Sequence, residues 1–399
     1  MRILFLSRWY PYPTDNGAKI RVFNLLKHLA ERHTVDLIAF ADRPVGTTER
    51  EAMQVFCQRV ADVPYQPFQP TRLKAVMGFF ASRPRSVMDT FQPALQNLVH
   101  EWVKENRYDC LLASQIDMIP YGVDVTGIPA LFEEIELTTI HEQFVKEQNP
   151  LRKARHALTW WKLQNYVRDS LPHFVGYTAA SPGELQQVQA ILPDYQGKSA
   201  LIPNGVDVLA HQQDFGPVQA DTLVYAGAMT YKANFDAVAY FLGEIWPLIR
   251  AARPQAVFYV TGKLDGVPVE RLPKQPGVVF TGYLDNVRPR VAQSWLSVIP
   301  LRLGGGTRLK VLESLALGTP VVTTSKGMEG LELTPERDVL VADTPKAFAA
   351  AVLQILRDPN LRTSLSQRGK LAVTRYDWPK IGAELCEFVA EVAAADKTA

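Results

Sequence analysis

Pro300-Leu-Arg-Leu-Gly-Gly-Gly-Thr-Arg-Leu-Lys-Val-Leu-Glu-Ser-Leu-Ala-Leu-Gly-Thr-Pro-Val-Val322 carries the densest structural signal in the chain. Gly304, Gly305 and Gly306 remove every side chain from the approach to a helix, and Thr307 is a good residue for its N-cap. Leu309, Leu312, Leu315 and Ala316 recur at helical spacing and form an apolar stripe; Gly318 stops the helix and Pro320 reinforces the stop. A helix N-terminus behind bare glycines presents free N–H groups and is a ready anion site. Arg308 and Lys310 place two cations in the first turn, where they oppose the helix dipole. A bound phosphate would neutralise them. Glu313, next to the stripe, is either a solvated charge or a carboxylate that accepts hydrogen bonds from the paired hydroxyls of a sugar, as acidic residues do in dinucleotide sites.

The same strand, loop and helix alternation extends outward on both sides. Towards the N-terminus, Leu223–Gly227, Ala256–Gly262, Val278–Gly282 and Trp295–Leu301 read as strands, with Phe235–Arg250 as an amphipathic helix. Ile202-Pro-Asn-Gly-Val-Asp207 is a turn followed by a polar, unpatterned stretch, and marks a domain boundary. Before it, Ile3–Leu6, a turn-rich loop to Gly17, a helix through Val22, Leu25, Leu26 and Leu29, and the run Val35–Phe40 make a βαβ unit. Leu95–Lys104 is helix-like, and Cys110–Ala113 and Ala130–Phe132 are strand-like. The alternation predicts an α/β protein with parallel sheets: two Rossmann-like, doubly wound domains in tandem, over 1–203 and 204–377. In such sheets ligands bind beyond the carboxyl ends of the strands, so two such domains are expected to face each other across a cleft.

A length of 399 residues, 47% of them hydrophobic, agrees with two domains and excludes a disordered or fibrous chain. The 43 basic and 41 acidic side chains nearly cancel, so no global field captures an anionic polymer and electrostatics must act locally. Cys57, Cys110 and Cys386 are too few and too scattered for a disulfide framework or a zinc site, which suggests a reducing cytoplasm. Neither a signal peptide nor a membrane-spanning run is expected. No Gly-x-Gly-x-x-Gly follows the first strand, which disfavours an NAD-dependent oxidoreductase.

On these motifs the chain resembles the retaining, nucleotide-sugar-dependent glycosyltransferases of family 4 (glycosyl transferases group 1), which have the GT-B fold. The resemblance rests on Gly304–Val322 together with Ile202–Asp207, Tyr225–Asn234, Asp15–Arg21, Lys326–Gly330 and Tyr376–Trp378, in that family's order and spacing. It implies a sugar transferase that builds a polysaccharide or glycolipid of the cell envelope. The donor would be a nucleoside-diphosphate sugar and the acceptor a saccharide or lipid-linked. It implies that Glu313 holds the donor's ribose, that Gly17 lets the first loop approach the diphosphate, and that backbone near Tyr283 and Leu284 meets the base. It implies further that a last helix, over 378–395, completes the first domain. Most members carry a glutamate where Gly305 stands and an arginine where Ala228 stands, and Lys232 is one residue from the expected lysine. Arg308 and Lys310, with Gly305, Gly306 and Thr307, are therefore expected to supply the diphosphate contacts. A nucleotide-sugar epimerase and a non-catalytic nucleotide-binding relative are the alternatives.

The chemistry expected needs neither metal nor cofactor: no Asp-x-Asp motif is present, and cations with a helix N-terminus stabilise the leaving diphosphate. For activation of the acceptor, Glu133 and Glu136, with Glu134 between, follow the Ala130 strand, and His141 comes shortly after. Clustered carboxylates repel and raise one another's pKa, which suits proton acceptance; a solvated acidic helix start is the competing reading, and Asp117 has the same standing. His28 and His33 read as surface or structural residues.

Two stretches, 72–85 and 152–168, hold only basic charges beside Met77, Phe79 and Phe80 and beside Trp160 and Trp161. They suit the headgroup layer of an anionic membrane, or are ordinary helices with solvated cations. Neither resembles a nucleic-acid module, so no nucleic-acid partner is expected. The protein is expected to be cytoplasmic, with peripheral attachment to the inner face of the membrane as the further possibility.

Overall fold

The computed structural model describes residues 1–304 and 308–395. It divides into two compact units, one made of Met1–Asn204 and the chain from Trp378, the other of Gly205–Asp377. Each is a parallel sheet wrapped by helices.

The first unit has seven strands, β1 (Arg2–Ser7), β2 (Thr34–Ala41), β3 (Arg59–Pro64), β4 (Cys110–Ser114), β5 (Ala130–Ile135), β6 (Gly176–Ala179) and β7 (Lys198–Leu201), in the order β3-β2-β1-β4-β5-β6-β7. The order reverses between β1 and β4, and this is where a doubly wound sheet opens a crevice for ligands. Ile3–Ser7 of β1 and all of β4 are buried and mostly apolar, as strands covered on both faces must be. β3, β6 and β7 carried no legible pattern. β6 is four residues long and lies inside the uncharged stretch 170–183, and β7 is largely exposed. The sequence ended the β5 strand at Phe132. It runs on to Ile135 through an irregularity in its pairing with β6 between Phe132 and Ile135, and this places Glu133 and Glu134 inside the strand end instead of in a helix start.

The second unit has six strands, β8 (Gln219–Ala226), β9 (Val257–Thr261), β10 (Val278–Gly282), β11 (Ser294–Ile299), β12 (Val321–Thr323) and β13 (Leu340–Val341), in the order β10-β9-β8-β11-β12-β13, with its reversal between β8 and β11. The helix expected over 235–250 is a helix Lys232–Tyr240, a π-turn Phe241–Ile245 and a second helix Trp246–Ala252. Pro247 has no N–H to donate and crowds the preceding turn, so the ladder is re-spaced just ahead of it.

The closing helix Trp378–Ala395 belongs to the first unit. It buries Ile381, Leu385, Phe388 and Val392 and lies against the helix Gly17–Ala30 so closely that a Cβ on Gly382 would fall 2.3 Å from the Cβ of His28. His28 is thereby a buried structural residue. Asn204 stays with the first unit, one residue beyond the boundary read from the sequence, because its side-chain oxygen accepts a hydrogen bond from Arg21 at 3.2 Å.

Candidate active site

In the second unit, glycines stand at the carboxyl ends of four strands: Gly227 after β8, Gly262 after β9, Gly282 closing β10 and Gly304 after β11. Gly262, Gly282 and Gly304 have φ of 123°, 71° and 105°, the left-handed region that glycine enters without strain. A Cβ on Gly262 would lie 2.3 Å from the carbonyl oxygen of Gly227. The strand ends therefore form a floor of bare backbone.

The helix Leu309–Ala316 begins beside this floor, with Arg308 at its cap position and no side-chain cap. Thr307, expected as the cap, and Gly305 and Gly306 lie outside the described residues. Lys310 reaches back from the first turn. Its ammonium donates to the Tyr225 hydroxyl at 2.8 Å and to Asn234 Oδ1 at 2.6 Å, and lies 4.4 Å from the Tyr225 ring centroid. It would be 3.0 Å from a Cβ on Gly227. Burial, with the neighbouring Arg308 guanidinium, lowers its pKa to about 7 against the opposing pull of Glu313.

Glu313 follows one turn later on the same helix. Burial raises its carboxyl to about 6, opposed by Lys310 and Arg288, and among the described residues no hydrogen bond is recorded to its oxygens. It is therefore not the solvated surface charge that the sequence left open, but a desolvated carboxylate beside a desolvated amine.

Arg308 is differently placed from Lys310. Its guanidinium donates to the carbonyls of Gly304 at 2.7 Å and Lys326 at 3.1 Å and pairs with Glu329 at 3.1 Å. It ties the glycine-rich loop to the short helix Ser325–Met328, while Lys326 also pairs with Glu329. Lys232 is exposed at the first position of the helix Lys232–Tyr240. Tyr283 is exposed, with the Lys263 ammonium 5.4 Å from its ring centroid, and Leu284 is half-buried beside it.

The first unit carries its own polar cluster at the ends of β4 and β5. Arg21, fully buried on the helix Gly17–Ala30, pairs with Glu133 at 2.6 Å and stands 3.5 Å from Glu134. Glu133 also accepts from the Ser114 hydroxyl at 2.6 Å, so both its oxygens are engaged. It anchors Arg21 and, at 1% exposure, is closed to an acceptor hydroxyl. Glu134 differs: it and Gln115 both adopt positive φ, 59° and 73°, and Gln115 donates to its carboxylate at 3.0 Å. Two such residues side by side, at the ends of β4 and β5, hold backbone strain of the kind that clusters in functional sites. Burial pushes the Glu134 carboxyl well above the usual carboxylate range, Arg21 opposes and the Glu133 charge reinforces the rise.

The remaining candidates lie apart from this pair. Glu136 is exposed and accepts from the Thr139 hydroxyl at 3.0 Å. His141 packs its ring 4.8 Å from that of Trp160, and Asp117 accepts from Thr90 at 3.2 Å. Gly17 is the exposed first residue of its helix, which Asn16 caps by accepting from the Lys19 N–H. Among the described residues no group of His, Cys, Asp and Glu is placed to hold a metal ion. No described helix is long and apolar enough to cross a membrane. Asn234 and Tyr225 went unread as site residues; the Tyr225–Asn234 wording pointed to their segment but not to the half-buried amine they hold.

Residues 220–358, most of the second unit, match the family model described as Glycosyl transferases group 1, and with its two Rossmann-like units the chain is a glycosyltransferase of the GT-B fold class. It is 25% identical over 326 residues to a phosphatidyl-myo-inositol mannosyltransferase of Mycolicibacterium smegmatis, across 76% of this chain and 77% of that one. Among solved structures it is similar to sucrose-phosphate synthase from Thermosynechococcus elongatus, with a TM-score of 0.68 at 16% identity over 99% of this chain and 100% of the other. It is also similar to Anabaena HepE, solved in complex with UDP and glucose, with a TM-score of 0.64 at 15% identity over 98% and 100% of the two chains. These structural likenesses carry the fold.

Proposed function

We propose that the chain is a retaining, metal-independent transferase of the family 4 type that moves a sugar from a nucleoside-diphosphate sugar to a saccharide or lipid-linked acceptor. The observation that carries the donor half is the pairing of Lys310 and Glu313 one turn apart, both desolvated, beside the glycine floor. The Glu313 carboxylate accepts the ribose hydroxyls and the Lys310 ammonium meets the diphosphate. As the bond between sugar and phosphate breaks, its electron pair leaves with the diphosphate, whose charge Lys310 and the helix N-terminus stabilise. HepE, solved with UDP and glucose, supports a nucleotide-sugar donor, and the mannosyltransferase, named for a phosphatidylinositol, supports a lipid-linked acceptor.

A thermal-shift panel of UDP, GDP, ADP and their sugars tests the donor reading, since a ligand that binds only the folded state raises its melting temperature. One nucleoside diphosphate is expected to raise it by several degrees with EDTA present; a flat panel rejects the reading, and a shift that EDTA abolishes rejects metal independence. Retention of the anomeric configuration is read from the product by NMR.

On the acceptor side we assign proton acceptance to Glu134 in place of Glu133, Glu136 and His141, because its raised, partly open carboxylate is suited to taking a hydroxyl proton. The new bond forms from the acceptor oxygen to the sugar carbon as that proton passes to Glu134. Glu134→Gln is expected to lower kcat by about a hundredfold or more, the scale of general-base catalysis, with donor affinity unchanged and the acidic limb of the pH profile gone. Full turnover by this variant removes Glu134 from the mechanism.

A further inference from the structure

The two acid-free stretches of the first unit are eighty residues apart in sequence, and a buried lysine joins them. Lys162, on the helix Pro150–Ser170, is 4% exposed and donates to the carbonyls of Gly78 and Phe79, each at 2.8 Å. These carbonyls belong to the turn that follows the short helix Leu73–Met77. A buried ammonium held by two carbonyls is a costly way to join a turn to a helix. It pins the turn against the helix at a position next to Trp161 on one side and Phe80 on the other.

The joined surface is apolar and basic together. Phe80 is 93% exposed, Leu73 74%, Met77 58% and Trp161 53%, whereas Phe79 lies under the Arg85 guanidinium, 3.7 Å from its ring centroid. Leu158, also exposed, precedes Trp161 and Lys162 by three and four residues, and so shares the side of the helix that meets the turn. Two of the cations are engaged: Arg85 donates to the carbonyls of Ala75 and Pro70, and Arg72 pairs with the buried Asp89. Lys74, Arg83, Arg152, Lys153 and Arg155 are exposed, and no ion pair is recorded for any of them among the described residues. No acid occurs in 63–88 or 148–168.

We infer that this composite surface docks on an anionic lipid bilayer, with Phe80, Met77 and Trp161 entering the headgroup layer and Lys74, Arg83, Arg152, Lys153 and Arg155 meeting lipid phosphates. Charge complementarity selects the occupant. A solvated face of an ordinary domain mixes both signs and keeps large apolar side chains inward; here the two stretches carry one sign, with Glu147 beside Arg152 and His156 at their margin, and the aromatic tips stand outward among the cations. Tryptophan and phenylalanine set among basic residues match the chemistry of the membrane interface. The surface is built from the first unit alone, and its docking is independent of the donor chemistry.

Sedimentation of the full chain with vesicles reads the docking without turnover, so its failure leaves the donor reading untouched. The protein is expected to pellet with phosphatidylcholine vesicles containing phosphatidylglycerol, not with phosphatidylcholine alone, and to be released by salt. Lys74→Glu, Arg83→Glu and Arg152→Glu combined are expected to weaken binding by on the order of a hundredfold, from about fivefold per cation. All three side chains are exposed, so thermal unfolding of the variant should match the parent. In an independent measurement, tryptophan emission is expected to shift blue on anionic vesicles and to be quenched by brominated lipid, and Trp161→Phe to lose that quenching. Absence of binding to anionic vesicles, or equal binding by the triple variant, overturns the inference. Binding to an oligonucleotide without binding to vesicles also overturns it and makes the surface a polyanion site.

Discussion

Glu313→Gln is expected to weaken nucleoside-diphosphate binding by about 2 to 3 kcal/mol, roughly 30- to 150-fold, since it removes the charge from hydrogen bonds each worth about 1.5 to 3 kcal/mol. The same substitution is expected to stabilise the unliganded protein near neutral pH. Burial raises this carboxyl to about 6 from an ordinary 4.5, so the stability linked to its protonated form is fully present below pH 4.5 and is lost as pH rises through 6. Above that range the native enzyme bears the cost of a desolvated charge, and glutamine does not. Isothermal calorimetry with the nucleotide and urea unfolding at pH 4.5 and 7.5 measure the two effects. A purely structural Glu313 would give the opposite pair: unchanged affinity and lower stability. Unchanged affinity alone sinks its assignment to the ribose.

Lys310→Met is expected to reduce diphosphate affinity on a similar scale, about 2 kcal/mol or more, by deleting the ammonium that meets the leaving group. Its pH signature runs the other way from that of Glu313. A folded-state pKa near 7 against an ordinary 10.5 means that stability linked to the neutral amine is present above pH 10.5 and is lost as pH falls towards 7. The stability difference between native enzyme and methionine variant should therefore move in the native enzyme's favour as pH is raised from 7 towards 10. Nucleotide binding near pH 8 should take up a proton, because a bound phosphate favours the charged amine. Calorimetry in two buffers of different ionisation enthalpy reads that uptake, and identical binding heats in both would show that Lys310 does not change protonation on binding.

Arg308 illustrates what motif reading misses. Its place in the first turn led to the expectation of a diphosphate ligand, yet its guanidinium is shared among the Gly304 and Lys326 carbonyls and Glu329. Position along a helix places a residue near a site, but whether its charge is offered to a ligand depends on partners 18 and 21 residues away. Glu133 is the same case in the first unit. Three carboxylates close in sequence looked equivalent; Arg21, more than a hundred residues earlier, and Ser114 claim Glu133, while Glu134 is turned aside by the irregularity in β5. The strands missed in the first unit are β3, which is half-buried and carries Arg59 and Asp62, and β6 and β7, which are short or exposed, so no hydrophobic period developed in them.

By itself the sequence determined the α/β class, most strand positions, the glycine-led helix at 309–316 and the boundary near Asn204, because hydrophobic period, glycine and proline act over a few neighbouring residues. Only the tertiary structure decided that Lys310 and Glu313 are desolvated, that Glu134 is more exposed than Glu133, and that Lys162 joins two basic stretches into one surface. Burial and ion pairing are set by side chains that folding brings together from far along the chain, and no local pattern records them.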